Sequence, residues 1–452
     1  MNVVIVGAGQ LGRHLASVLS KQEHNVIIVD HNPEKLQSVA AQSDVATRVG
    51  SGTDWQMMDD LLELLPDAIL AMTGDDHVNF VSCTIAKHLG YPLAIARVRD
   101  HRFLNRTRLD FARLFAIDFF LCPDLLVAQD IMKFMTSHGA LLMEHFAHGA
   151  VVLRTLTVPK GWRKGDRPLQ HLNLPPNLIV GLIYRKGIRG ERESRLIFPH
   201  GEDVILPEDE VTLIGETGAM EEVNQFFRIK EEKIQSVVVM GGSMTAMHLG
   251  RLLPRRRVGV RIIEKDYDRC CVLAEQLPDC TIIHDDGTDF DFLVAEKVDQ
   301  SDLFVACTED DQFNLLTSLV AKEAGCRQIL SLVSDPNYVP IYNQLDINHL
   351  FSPKVCATNR ILSQLARGTI TSLVSFYNNQ AEIMEINVSS QSRVVGIPLS
   401  ELEPLLPSDF LIAMIQNRGR ILVAHGERII SPGDTVVVVT HPRHAVELEK
   451  IF

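Results

Sequence analysis

The chain has 452 residues, enough for about three globular domains, because a single core rarely outgrows a couple of hundred residues. Apolar residues make up 46% and charged residues 22%, the balance of an ordinary folded protein, and no apolar run reaches the roughly 20 residues that a bilayer crossing needs. A formal net charge of −13 argues against broad nucleic-acid binding, which needs a basic surface, and suits a cationic partner such as a lysine- and arginine-rich cytoplasmic membrane face.

The N-terminal "MNVVIVGAGQLG" enters a buried-strand pattern at once, without a basic region or a small-residue cleavage site, so a cytoplasmic protein is expected. The eight cysteines include no C-x-x-C pair and no zinc-like grouping, which reads as reduced thiols.

Within "VVIVGAGQLG", Gly7, Gly9 and Gly12 have G-x-G-x-x-G spacing between a strand and a helix. In such a loop, spanning Gly7, Ala8, Gly9, Gln10, Leu11 and Gly12, the first glycine turns the chain and the second lets a pyrophosphate approach the backbone. The third lets helix and strand pack closely. The phosphates would rest on amides at the helix N-terminus. The next strand, "NVIIVD", ends in Asp30, an acid placed to accept both ribose hydroxyls. That acid repels a 2′-phosphate, so NAD(H) or ADP/ATP is expected over NADP(H).

Further along, Gly52, Thr53 and Asp54 follow a third strand, and Thr73, Gly74, Asp75 and Asp76 follow a fourth. These are carboxyl ends of parallel strands, where ligands of this fold bind. Thr53, Thr73 and Gly74 are candidate contacts, whereas Asp75 and Asp76 have an equal claim to be caps of the helix starting near His77. "IARVRDHRFLNRTRLDFAR" carries arginines at 97, 99, 102, 106, 108 and 113. The later ones suit a solvated helix face with i,i+4 pairs to Asp110 and neighbours, while Arg97 and Arg99, at the end of a fifth strand, are expected to contact anions.

From residue 140 the pattern changes to alternating strands and tight turns, "VVLRTLTV", "NLIVGLIYRKG" and "DEVTLIGE", then a helix: a small α+β domain with its own modest core. The charged "FRIKEEKIQS" reads as a joint, after which the whole order recurs. Gly7 and Asp30 match Gly241 and Glu264 at 234 positions, and "DAILAMTGDDHVN" matches "DLFVACTEDDQFN" at 235. "HGEDVILPEDEV" matches "HGERIISPGDTV" at 225. One unit is used twice. The expected fold is therefore α/β: Rossmann-like parallel-sheet domains at 1–136 and 233–370, followed by small α+β domains at 137–232 and 371–452.

The second glycine loop, "VVVMGGSMTAM", departs from the first. Gly241 keeps the turn and Ala246 suits the third position, but Ser243 puts a Cβ where the pyrophosphate would approach. Leu332 and Ser334 stand where Arg97 and Arg99 would be. Glu264 leaves adenosine binding open, and the second Rossmann unit is read as mainly a structural and assembly copy.

No G-x-S-x-G, P-loop lysine or H-E-x-x-H occurs, and the small domains offer no evident substrate pocket beside a nicotinamide. A binding and reporting protein is expected rather than an enzyme. An NAD-dependent oxidoreductase with a duplicated Rossmann fold is the alternative, and a scaffold with vestigial loops is a third reading.

Taken together, "VVIVGAGQLG", "IIVD", "AMTGDDHVN", "AIARVRD" and "PGDTVVV", in two consecutive units, closely resemble the regulatory subunits of bacterial Trk potassium uptake, each unit resembling a regulator of K+ conductance (RCK or KTN) module. The resemblance spans the whole chain. It implies a peripheral cytoplasmic protein that forms a homo-oligomeric ring, expected as a tetramer, beneath a Trk-type membrane K+ channel or transporter. Such a ring binds NAD(H) or adenine nucleotides and gates ion flow. Related regulators that prefer ATP carry an arginine in the glycine loop, where this chain has Gln10 and Leu11.

Overall fold

The computed structural model describes all residues except 106–107, 137–141, 188–193, 230–232, 346, 348, 366–369, 378–379, 403, 405 and 408. Arg106 and the centre of the charged joint thus lie outside the described residues.

The strands Asn2–Val6, Asn25–Asp30, Ala46–Val49, Ala68–Ala71, Leu93–Arg97 and Phe119–Leu121 form one parallel sheet in the order 3-2-1-4-5-6. Val3, Val4 and Ile5 at its centre are fully buried, which is why the sequence there is a continuous apolar run rather than an alternating one. The sheet's first strand pairs with the second and the fourth, so the order reverses beside it, and this topological switch opens a crevice at the strands' carboxyl ends. Residues 236–351 repeat the same parallel six-stranded order.

The small domains are five-stranded antiparallel sheets of matching order. The repeated "PED" and "PGD" turns explain themselves here. Asp209 accepts from the Leu206 amide at 2.7 Å and Asp434 from the Ser431 amide at 2.9 Å, each bracing the turn before its strand.

By compactness the chain forms two units that cross the sequence repeat: residues 1–129 with 235–361, and 130–234 with 362–452. The two Rossmann lobes make up the first and the two small domains the second. Each small sheet has two faces to cover. One face of the first small domain has its own core, including Val211, Leu213 and Phe227. A further core is shared, with Leu153, Leu182 and Ile214 packed among Ile383, Met414 and Val439, so the small domains do not rely on separate cores alone.

In the Rossmann unit the helix Met244–Leu252 of the second lobe meets residues 101–124 of the first. Thr245 donates to Asp124 at 3.0 Å, Arg251 donates to His101 at 2.6 Å, and Cys122 lies 3.9 Å from His248. The matching contact on the other side sets Lys354, the repeat equivalent of Asp124, near His14. All eight cysteines are free thiols.

Candidate nucleotide site

The first glycine loop is built as its spacing predicts. Gly7 adopts φ +105°, a left-handed conformation that favours glycine, and its amide donates to the Val29 carbonyl at 2.7 Å, pinning the turn to the second strand. At Gly12 an added Cβ would lie 1.9 Å from the Gly7 carbonyl oxygen, so the helix can approach the strand only without a side chain there. Above Gly9 a Cβ would meet nothing within 4 Å. That open space faces the start of the helix Gln10–Lys21, whose N-cap residue supplies no side-chain hydrogen bond, leaving first-turn amides available to an anion. Ala8 and Leu11 are buried and serve the core, while Gln10 is exposed.

Asp30 is only 7% exposed. Its carboxylate accepts from the Ala8 amide at 2.7 Å and the Asn32 amide at 2.8 Å, one on each oxygen. A carboxylate offers about four acceptor positions, so lone pairs remain for ribose hydroxyls. The acid thus ties the glycine loop to the strand that carries it.

The remaining predicted residues divide. Asp75 accepts from the His77 and Val78 amides at 2.8 and 3.2 Å as N-cap of the helix Asp76–Leu89, and these bonds hold its carboxyl below the usual carboxylate range. Asp76 accepts from the Arg99 and Asp100 amides, at 2.9 Å each. Both acids brace the crevice. Asp54 likewise caps Trp55–Asp60, and Thr53 shares a 2.8 Å hydroxyl contact with Ser51. Gly74 leaves open space where a Cβ would project.

Thr73 is held by a residue that the sequence reading passed over. Asn79, fully buried, accepts from both the Thr73 amide (2.9 Å) and hydroxyl (2.7 Å) and donates to the Arg97 carbonyl at 3.0 Å, clamping two strand ends together. Asn314 makes the same three bonds in the second lobe. The available signal was the recurrence of asparagine at the end of "DDHVN" and "DDQFN".

Arg97 has a buried Nε without a hydrogen-bond partner, and burial lowers its pKa although Asp124 opposes the shift. An unsatisfied buried guanidinium nitrogen at the carboxyl end of the fifth strand fits an anionic group. The residues present, with the open Gly9 cradle, the uncapped helix and Asp30, fit an adenine dinucleotide. Arg99 points elsewhere: its guanidinium lies 3.5 Å from Glu309 at the mouth of the second crevice. Among the later arginines, Arg102 pairs with the neighbouring Asp100 at 2.6 Å.

In the second lobe Glu264 accepts from the Gly242 amide at 2.6 Å and the Asp266 amide at 2.8 Å, copying Asp30. Ser243, however, caps its own helix, its hydroxyl accepting from the Ala246 amide at 3.2 Å. Two cavities of about 370 and 320 Å³ share Glu264, Thr308 and Glu309 along this crevice.

A doubly used Rossmann lobe with a glycine loop, an acid on the second strand and a small antiparallel domain after each lobe defines a tandem nucleotide-binding-type protein. The TrkA-N domain model matches residues 3–113 and 237–353 and the TrkA-C domain model residues 383–452. The chain belongs to this family, that of the Trk system potassium uptake protein TrkA. The Trk system potassium uptake protein TrkA homolog 1 of Methanosarcina mazei is 30% identical over the full length of both chains. The TrkA protein of Halomonas elongata is 28% identical, covering all of this chain and 98% of its own. Among solved structures, the GsuK channel bound to NAD superposes on the whole chain and 78% of its own with a TM-score of 0.63 at 16% identity, a likeness of fold.

Proposed function

We propose that this protein is the cytoplasmic regulatory subunit of a Trk-type potassium uptake system and that it works by binding a nucleotide rather than by turning one over. The observation that carries the reading is the first crevice, where the open cradle at Gly9 and the uncapped helix start lie one hydrogen bond from the ribose acid Asp30. Gly7, Gly9, Gly12, Asp30, Gly74 and Arg97 form the site. NAD(H) is the expected ligand, with ADP and ATP as competitors. Thr53 and Thr73 act from behind, by shaping the crevice.

The relatives' names supply the system: proteins matched end to end are named for Trk potassium uptake. Among the described residues no helix is long and apolar enough to cross a membrane, so ion passage belongs to a separate membrane subunit. This chain assembles beneath it as a homo-oligomeric ring of four copies, and nucleotide binding changes the ring and gates flow.

Isothermal titration of the purified protein with NADH, NADPH, ADP and ATP, combined with absorbance at 340 nm, tests the reading. Tight NADH binding without absorbance loss supports it. Absence of nucleotide binding favours a scaffold, and oxidation of NADH with a carbonyl substrate favours an oxidoreductase.

A further inference from the structure

The first Rossmann lobe carries a surface that its nucleotide crevice does not use. In "DLLELLPD" four leucines surround Glu63. Leu61 and Leu62 pack into the lobe's core, whereas Leu64 is 50% and Leu65 79% exposed. Single exposed leucines are common, so what matters is whether this pair is held out by construction. Leu65 sits at φ +49°, in the left-handed region that costs a side chain energy a glycine would not incur. The Asn2 side chain fixes the turn, its Nδ2 donating to the Leu64 and Leu65 carbonyls at 2.6 and 3.2 Å. Asn2 opens the central strand, and its Oδ1 accepts from Asn25, which opens the second strand, at 2.8 Å. The pair therefore stands at the amino ends of the strands, opposite the crevice at their carboxyl ends.

The internal repeat separates what the fold needs from what it does not. At the equivalent positions the second lobe has Asp299 and Gln300 in place of the leucines and Ser236 in place of Asn2, and the Ser236 hydroxyl donates to Asp302 at 3.0 Å. Apolar pair and asparagine brace are present together or absent together, and the six-stranded sheet forms either way. The charge around the pair also belongs to the first lobe. Glu63 is next in the chain, while Glu23 and Asp44 precede the second and third strands on the other side of the central one. Adjacent strands lie about 4.8 Å apart, so these ends form one short row. All three acids are exposed, and among the described residues none of them forms an ion pair. Arg257 stands where the first lobe has Glu23, at the same left-handed turn (φ +63° and +60°), so the charge differs while the geometry is kept. Lys21 offsets one of these acids, and burial with the adjacent amino terminus pushes His24 down to about 4, which leaves it neutral.

We propose that this amino end is the docking face for the membrane subunit and that it takes a lysine- and arginine-rich cytoplasmic segment, with Leu64 and Leu65 as the apolar anchor and Glu23, Asp44 and Glu63 holding the cations. The proposal rests on the reading above that a separate membrane subunit exists. Charge complementarity selects the occupant: cytoplasmic segments of membrane proteins carry an excess of lysine and arginine, whereas a second copy of this chain brings a net charge of −13. An apolar centre inside a charged rim is the usual anatomy of such a contact. With nucleotide at the carboxyl ends and partner at the amino ends, the same sheet lies between signal and response.

The test measures binding of the full chain to a purified Trk-type membrane subunit in nanodiscs of zwitterionic lipid. Wild-type affinity should fall with added salt. Glu23→Lys combined with Glu63→Lys should weaken binding about 10-fold or more at low salt and flatten that dependence. Leu65→Gly should weaken it about 10-fold, the scale of one buried leucine. Its melting temperature should hold or rise, because glycine relieves the left-handed turn, so the loss could not come from misfolding. NADH affinity should be unchanged in each variant. Subunit binding unmoved by these changes overturns the docking face alone, and so does a smaller assembly mass in Leu65→Gly, which would make the face a contact between copies. A wild type that binds NADH but no Trk-type subunit overturns the proposed function and the docking face with it.

Discussion

The Asp30 carboxylate accepts a 2.7 Å hydrogen bond from the Ala8 amide, joining the acid of the second strand to the glycine loop of the first. The same bond recurs between Glu264 and Gly242 at 2.6 Å. The acid is therefore part of the loop's construction as well as a candidate ribose acceptor, and its replacement should act on both. Asp30→Ala should weaken NADH binding by about 1.5–3 kcal/mol, the size of a charge-assisted contact, and lower stability by about 1–3 kcal/mol through the orphaned Ala8 amide. Calorimetry and thermal melting measure the two losses. Unchanged affinity in a folded variant would remove Asp30 from the site.

Gly9 and Gly12 should fail in different ways. Nothing lies within 4 Å of a Cβ at Gly9, so Gly9→Leu should fold with little loss and abolish most NADH binding. A Cβ at Gly12 meets the Gly7 carbonyl oxygen at 1.9 Å, so Gly12→Ala should lower the melting temperature as well. The Gly9 counterpart Ser243 already fills its loop, and Ser243→Leu should leave NADH stoichiometry near one per chain. A stoichiometry near two, lowered to one by Ser243→Leu, would show that both loops take a dinucleotide.

How far the sequence disclosed this arrangement depended on the range of the interaction. Glycine spacing, the acid after "NVIIV" and the apolar runs are local signals, and they located the crevice and both Rossmann sheets. Asn79 was hidden because its role depends on a distant strand end, the Arg97 carbonyl, which a helix-periodic pattern does not reveal. Arg99 was expected to contact an anion, but its direction toward Glu309 depends on how the lobes pack, and periodicity carries no information on that. The shared core of the small domains was missed for the same reason, since a strand's apolar face does not say which sheet will cover it.

The lobe contacts predict acid sensitivity. Burial pushes both His14 and His248 down to about 4 from 6.5, helped at His14 by Lys354 and Lys21 and opposed at His248 by Asp124. His101 and Arg251 also face His248 and lower it further. These imidazoles are neutral when folded and take a proton more readily when unfolded. Their contribution is complete above pH 6.5 and is lost as pH falls toward 4, at about 1.4 kcal/mol per pH unit for each. Thermal melts of wild type and His248→Gln between pH 7 and 4.5 should converge as pH falls, because glutamine takes no proton. A constant separation would contradict the assignment.

Membrane association should require a partner. Expressed alone, the protein should stay in the supernatant after high-speed centrifugation, and it should pellet with membranes only when a Trk-type channel subunit is coexpressed. Salt-resistant pelleting of the lone chain would point to an anchor of its own.

The most direct test of nucleotide-controlled regulation is potassium flux through vesicles containing a purified Trk-type channel subunit, with this protein added in the presence and absence of NADH. Wild-type protein should give a flux that changes on adding NADH, and Gly9→Leu should hold the flux at its nucleotide-free value while still binding the channel. Equal flux with and without NADH for wild type, or an NADH response that survives Gly9→Leu, would contradict control through the first crevice.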